Sequence, residues 1–493
     1  MLSVQEIKTF IDNDLASTKK QLAKVGMDYY EARHDIQYYK IFYFDAKGNL
    51  KEDETKSNIR ISHPYFTELV DQGVQYALSG KDGFVRSDDP ELQAHLDEYF
   101  NENEEFTAEL YDILTGAVAK GFEYAYAYKN VDGRLSFQCA DSLGIIEVRE
   151  TETDDHCEYI IYWYVDSIGK NNQAIKRIEV WDKEQVWYYC QIDDGEITLD
   201  DNKKHNPSPH ILYSKGNDKG EKLFYDNFGF IPFFRIDNNK KQQSGLVPIK
   251  DIIDDYDLMN AGLTNNIQDT NEALYVVRGF QGDNMDELMQ NIKAKKHVGV
   301  DEDGGVDIKT IDIPVAARQA KMEIDEKNIY RFGFGLNISG LKDTAATTSI
   351  AIKSAYALLD LKTNKLEIRL KQFMRKLLKP VLAEINKANG TGYEQKDVYF
   401  RFDRELPVNE QEHAQIELTD AQRKQTEINT LLNLVPHLGN EIALEQIFDQ
   451  LDLDYEDYKD RLPSQNEPDP YKAQTALDNA PVASEPTGGG VIE

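Results

Sequence analysis

The sequence predicts an α+β fold, and three observations predict it. Up to Lys120, apolar residues recur at helical spacing. From Glu123 to Ile236 the period changes to two, in runs rich in Tyr, Val, Ile and Trp. From Gly245 to Pro380 the chain reads as helix, short β-rich excursion, helix, small-residue loop and one long helix.

Taken in order, residues 3–25 read as a polar helix and 27–45 as a tyrosine-rich segment. Residues 64–80 form an amphipathic helix ending at Gly80, a C-terminal capping residue. Asp89–Asn101 and Glu105–Lys120 make two more, the second stopping before Gly121. Strands are expected at 123–129, 134–139, 145–149, 158–164, 176–181 and 185–191, separated by turns such as Asp132-Gly133. Residues 192–222 are polar and read as a mobile loop, and Phe228–Ile236 as a closing strand.

A helix is expected over Lys250–Glu272, carrying Asp251, Asp254, Asp255, Asp257, Asp269 and Glu272. The excursion after it reads as strands at Tyr275–Gly279, His297–Val300 and Val306–Ile311 around a small helix, 284–294. Pro314 opens a helix over about 315–332. The long helix from Ser349 places Leu358, Leu359, Leu366, Leu370, Phe373, Met374, Leu377, Leu378, Val381, Leu382 and Ile385 on one face. That pattern continues past Pro380, which should kink the helix rather than end it. Asp397–Asp403 alternates as a strand and is expected to return to the first domain. Residues 408–434 and 439–450 read as helices, and the Pro/Gly/Ser-rich stretch from Pro463 as disordered.

A chain of 493 residues suggests about three domains, and 40% apolar content suffices for a packed body. The net charge of −32 has the wrong sign for gripping DNA through its phosphates, since such binding needs Lys and Arg patches that release counterions. It does not stop a chain from surrounding DNA. Cys139, Cys157 and Cys190 are widely spaced without a C-x-x-C, against both a disulfide scaffold and a zinc site. Met1–Leu22 has no apolar signal region, and no window reaches ~18 consecutive apolar residues, so no membrane association is expected.

Motifs for catalysis fail. There is no P-loop and no G-x-S-x-G, and the nine histidines form no H-E-x-x-H. Asp301-Glu302-Asp303-Gly304-Gly305 lacks the ligand pattern of a calcium loop and reads as a solvated turn. No catalytic residue, metal ligand or cofactor is assigned. Two basic features remain: Lys293, Lys295 and Lys296 on the excursion, and the long helix with Lys353, Lys362, Lys365, Arg369, Lys371, Arg375, Lys376 and Lys379. The second calls for a complementary acidic surface, on this chain or on an identical neighbour. Oppositely charged helices joined by a tip and a loop look like one stave of a ring.

Several segments, in order, resemble the portal proteins of tailed bacteriophages of the type found in the siphophage SPP1. They are Tyr29-Tyr30 with His34-Asp35-Ile36, Asn58–Phe66 continuing to Val70-Asp71 and Tyr76, and Ala117–Tyr128 followed by Asp132-Gly133. The most specific set is Asn227–Phe234, then Asn238-Asn239, then Ile252-Ile253-Asp254-Asp255-Tyr256-Asp257. The resemblance covers about 25–460.

The resemblance implies a portal fold with a mixed α/β wing (1–245 and 350–405), a two-helix stem (246–274 and 314–336), a small α/β clip (275–313), a tunnel loop (337–349), a long kinked helix and a helical crown (406–462), with 463–493 as a tail. It implies a homo-oligomeric ring of twelve subunits at one capsid vertex of the virion, assembled in the bacterial cytoplasm. Its partners would be double-stranded DNA, the terminase large subunit, major capsid and scaffolding proteins, and head-to-tail connectors. Gly340, Lys342, Asp343, Thr344, Ala345, Ala346 and Thr347 would be the loop beside DNA. Arg318 and Lys321 would line the stem, and Lys293, Lys295 and Lys296 would form a docking surface on the clip. The alternatives are a metal-dependent DNA-processing hydrolase and a structural adaptor without a channel.

Overall fold

The computed structural model describes residues 1–45, 47–54, 56–80, 83–150, 157–168, 173–217, 220–269, 274–280, 284, 300–309, 314–337, 349–404, 422–433 and 444–448. Two units separate at residue 406. The first mixes helix and sheet; in the second, residues 422–433 and 444–448 are helical.

The chain opens with α1 (Val4–Ala16) and α2 (Thr18–Tyr30) rather than one helix. Ser17 is the reason: extended at φ −68° and ψ 137°, it ends α1, and its side chain accepts from the Lys20 amide to cap α2. A short hairpin follows, β1 (Phe42–Phe44) with β2 (Leu50–Glu52), which the sequence did not announce. Then come α3 (Tyr65–Ala77), β3 (Val85–Arg86), α4 (Pro90–Leu96) and α5 (Glu104–Lys120). Gly121 closes α5 at φ +99°, where a Cβ would stand 2.4 Å from the Gln242 carbonyl oxygen.

The period-two region forms two sheets. Strands β4 (Phe122–Lys129) and β5 (Leu135–Ala140) pair with each other. Strands β6 (Ile145–Val148), β7 (Tyr159–Ile168), β8 (Ala174–Trp181) and β9 (Gln185–Ile192) form an antiparallel meander, with β10 (Thr198–Leu199) and β11 (Ser208–Pro209) both on β9. The expected loop at 192–222 is therefore corrected. It holds β10, β11 and most of a hairpin, β12 (Ile211–Asn217) with β13 (Gly220–Asp226). A two-stranded ribbon needs no buried face, so polar composition does not forbid it. Strand β14 (Phe233–Asp237) completes the β14–β4–β5 sheet.

Helix α6 (Lys250–Asp269) leads to β15 (Leu274–Phe280), which pairs with β16 (Val300–Lys309). The turn expected at Asp301–Gly305 is strand instead. Its pairing survives a register shift between Arg278 and Phe280, where Gly279 takes φ +63°. Of the expected helix at 284–294, all but its first residue lies outside the described residues. Helix α7 (Val315–Gly333) follows, and α8 (Ser349–Asn389) runs through Pro380. Strand β17 (Tyr399–Phe400) pairs with β3, joining residues about 310 positions apart.

The largest core packs α3, α5 and the β4–β5 face against α8, with Leu69, Val74, Ile113, Ala117, Leu370, Phe373, Met374 and Leu377 buried. The buried residues of α8 from Leu359 to Ile385 keep the helical spacing read from the sequence. A second core sets Ile7 and Ile11 of α1 against the meander at Ile161, Ile178 and Val180.

Candidate functional site

Helix α6 has two occupied faces. Asp257, Asn265 and Asp269 are spaced by eight and four, so they share one arc of the helix. That arc holds the extended segment before α3. Asp269 Oδ1 accepts from the Ser57 amide at 3.1 Å, Asn265 Oδ1 from the Ile59 amide at 2.7 Å, and Asp257 Oδ1 from the His63 amide at 3.1 Å. Segment 57–63 is thus a strap, tied by its backbone to helix side chains.

At the upper end the tie becomes a clamp. Asp257 is fully buried, with His34 Nδ1 at 2.6 Å from Oδ2 and His63 Nδ1 at 2.7 Å from Oδ1. Burial pushes the Asp257 carboxyl up, but the hydrogen bonds of the two histidines outweigh it and hold it below the usual range. Tyr29 stacks on His34 at 4.3 Å and donates its hydroxyl hydrogen bond to Asp254. Lys250 reaches Asp35 at 2.6 Å and Asp254 at 2.7 Å. Tyr65 and Tyr256 meet edge to face at 5.0 Å, and Tyr330 of α7 donates to Glu68 at 2.8 Å.

Helix α7 runs antiparallel on another face of α6. Lys321 pairs with Asp255 and also with Asp325, at 2.6 Å to Oδ1. Burial lowers the Lys321 ammonium's pKa, but these two carboxylates more than reverse it and raise it. Two turns on along α6, a Cβ at Gly262 would lie 2.6 Å from an Arg318 guanidinium nitrogen, so Arg318 lies close against α6 there. The two cations read as stem lining are therefore on the helix pair, and Lys321 is engaged within its own chain. Asp254, Asp255, Asp257 and Asp269 likewise serve internal contacts. Only partners far away in sequence could have revealed that.

On α8, Lys362 donates to the Leu69 carbonyl oxygen at 2.7 Å, and Lys371 pairs with Glu367 at 2.6 Å. Lys376 reaches the Arg235 carbonyl oxygen at 3.0 Å. Arg375 and Lys379 are exposed. Gly340, Lys342, Asp343, Thr344, Ala345, Ala346 and Thr347, and likewise Lys293, Lys295 and Lys296, lie outside the described residues. Among the described residues, no three His, Cys, Asp or Glu side chains are placed to hold a metal ion. No described helix is long and apolar enough to cross a membrane.

Sequence reasoning missed the clamp as a site. Yet its members, Tyr29, His34, His63, Asp254 and Asp257, all fall within the segments that carried the family resemblance.

Comparison with known proteins gives the identity of the architecture. Residues 9–454 match the family model described as phage portal protein, SPP1 Gp6-like. The portal protein of Bacillus phage SPP1 is 29% identical over 355 residues, 71% of this chain and 67% of its own length. The portal protein of Clostridium phage phiCD119 is 24% identical over 403 residues, 77% of this chain and 82% of its own. Among solved structures, a chain from the neck of a native GTA particle computed with C12 symmetry aligns over 78% of this chain and 89% of its own, at 11% identity and a TM-score of 0.38. With the family model spanning nearly its whole length, the chain belongs to the SPP1 Gp6-like family of phage portal proteins, a structural family.

Proposed function

We propose that copies of this chain close into a ring-shaped channel at one vertex of a phage capsid, with twelve subunits and with α6 and α7 as its wall. Double-stranded DNA enters through the ring, driven by the terminase motor, and later leaves through it. Head-to-tail connectors assemble on the same ring. Residues 275–313 form the clip, where Lys293, Lys295 and Lys296 dock the terminase. The loop 337–349 contacts the DNA through Lys342.

One observation carries the reading beyond family membership. Of the nineteen residues of α7, only Asp325, Ile329 and Tyr330 are buried. A helix with so little packed surface draws little tertiary stabilisation from its own chain. Flanking copies would supply the missing contacts. Helix α6 spans about 30 Å at 1.5 Å per residue, a useful length for a channel wall. The wall's carboxylates are largely tied up internally; Lys250 and Lys321 are paired and Arg318 lies against α6, which leaves Lys327 and Arg331 of α7 as exposed cations. DNA, with one charge per about 1.7 Å of axis, would meet few deep phosphate sites and could slide.

Negative-stain microscopy of the purified protein tests this. Rings with a central hole are expected; a strictly monomeric protein at micromolar concentration overturns it.

A further inference from the structure

We propose that the β1–β2 hairpin of one copy packs on the opposite flank of the α6–α7 pair of the next copy, at Ile267 and Val315. This rests on the ring reading above and adds which surfaces close it.

Among the described residues, nothing covers the apolar side chains of the hairpin. Phe42 stands opposite Glu52 and Phe44 opposite Leu50, so Phe42, Phe44 and Leu50 share one face of the ribbon. They are 51%, 73% and 59% exposed, and Tyr38, Tyr39 and Tyr43 beside them are exposed too. A lone two-stranded hairpin is marginally stable in water. Two of its lysines pair locally, Lys40 with Glu52 at 2.7 Å and Lys51 with Asp45 at 3.3 Å. What it offers a partner is apolar area. The face formed by Phe42, Phe44 and Leu50, at roughly 200 Å² per side chain and a little over half exposed, offers on the order of 350 Å². That is just under half of the roughly 800 Å² per side of a stable interface, with exposed Tyr38 and Tyr39 next to it in the chain.

The position of the hairpin selects a second copy as the partner. The strap ties Ser57 to Asp269 and Ile59 to Asn265, and Asn58 Nδ2 donates to the Tyr39 carbonyl oxygen at 3.2 Å. The hairpin begins three residues after Tyr39, so its base is level with the last turns of α6. Ile267 sits midway between Asn265 and Asp269. At about 100° per residue it points away from both, to the flank opposite the strap. Ile267 is exposed. Val315, also exposed, opens α7 at the same height, because the helices are antiparallel with Arg318 beside Gly262.

Rotation about an axis along the wall brings together surfaces at equal height. A closed ring joins two different faces of each subunit, head to tail. The hairpin and the Ile267 flank meet both conditions: same level, opposite sides.

The test is a full-length double variant, Phe44→Cys with Ile267→Cys, assembled, oxidised and run on a denaturing gel without reductant. A ladder of covalent multimers is expected, absent in either single variant. A companion variant, Phe42→Ala with Phe44→Ala, is expected to raise the concentration needed for rings at least tenfold by mass photometry. Rings visible by microscopy with no ladder, or with a cross-link only inside one chain, overturn the hairpin contact and leave the ring reading standing. Absence of rings in the unaltered protein overturns both.

Discussion

His34 and His63 grip opposite oxygens of one carboxylate, that of Asp257, at 2.6 and 2.7 Å. The two histidines lie 29 positions apart and the aspartate some 200 residues further on, so this contact sews the amino-terminal segment to the helix proposed as channel wall. Asp257→Asn keeps the shape and removes the charge. It puts an amide where one histidine requires an acceptor, and a loss of about 2–4 kcal/mol is expected by urea unfolding.

The same contact has a pH signature. The Asp257 carboxyl is held below its usual range in the folded chain. Between the folded and unfolded values the unfolded chain binds more protons, so stability rises with pH there. The contribution is complete above about pH 4 and is lost as pH falls through the folded value. The gap in urea midpoint between the native chain and Asp257→Asn should therefore narrow from pH 5 to pH 3. An unchanged gap would show that the charge is not what the clamp uses.

Lys321 is expected to matter for stability more than for DNA. Its partner Asp325 is 4% exposed. Lys321→Met leaves that carboxylate buried without its cation, at a cost of about 2–3 kcal/mol. Adding Asp325→Leu should recover most of it, giving a coupling above about 1 kcal/mol in the double-mutant cycle. Additive effects would sink the argument.

Two glycines separate tight from loose packing. A Cβ at Gly26 would stand 2.0 Å from the Ala119 carbonyl oxygen, where α2 crosses α5. At Gly73 it would meet only the flexible Lys362 side chain, at 3.3 Å. Gly26→Ala is expected to cost about 3 kcal/mol and Gly73→Ala less than about 1 kcal/mol, measured by chemical denaturation.

What the sequence reveals depends on how local the cause is. The buried face of α8 is legible because Leu366, Leu370, Phe373 and Leu377 repeat at three and four within one helix. The break at Ser17 is local too, but a capping serine inside a polar run gives a weak signal. The acids of α6 mislead: Asp257 and Asp269 look like surface charge until the strap, some 200 residues earlier, is brought alongside. Of the hairpin at 42–52 the sequence shows only a tyrosine-rich segment, because Phe42, Phe44 and Leu50 are too few to set a period and stay exposed within one copy.

Lys362 carries a different pH signature. Burial pushes its ammonium down to about 8, and its hydrogen bond goes to the Leu69 carbonyl oxygen rather than to a carboxylate. An ordinary lysine titrates near about 10.4. Between the two values the folded chain binds fewer protons, so stability should rise with pH from about 8 to 10. Lys362→Met is expected to remove that rise and to stabilise the protein by about 1–2 kcal/mol at pH 7. A destabilised variant would mean that the bond to Leu69 outweighs the desolvation.

Lys342 tests the proposed contact with DNA. In a ring it would recur once per subunit, so twelve weak contacts would form a belt of positive charge around the duplex. Each lysine neutralising a phosphate adds about 0.9 to the salt slope of binding. Lys342→Ala should leave ring formation intact by microscopy. It should reduce DNA retention in filled capsids severalfold and flatten the dependence of that retention on salt. Lys342→Arg should restore retention, because the charge is kept. If Lys342→Ala packages and holds DNA as the unaltered protein does, the loop guides DNA by shape alone and the lysine has no part in it.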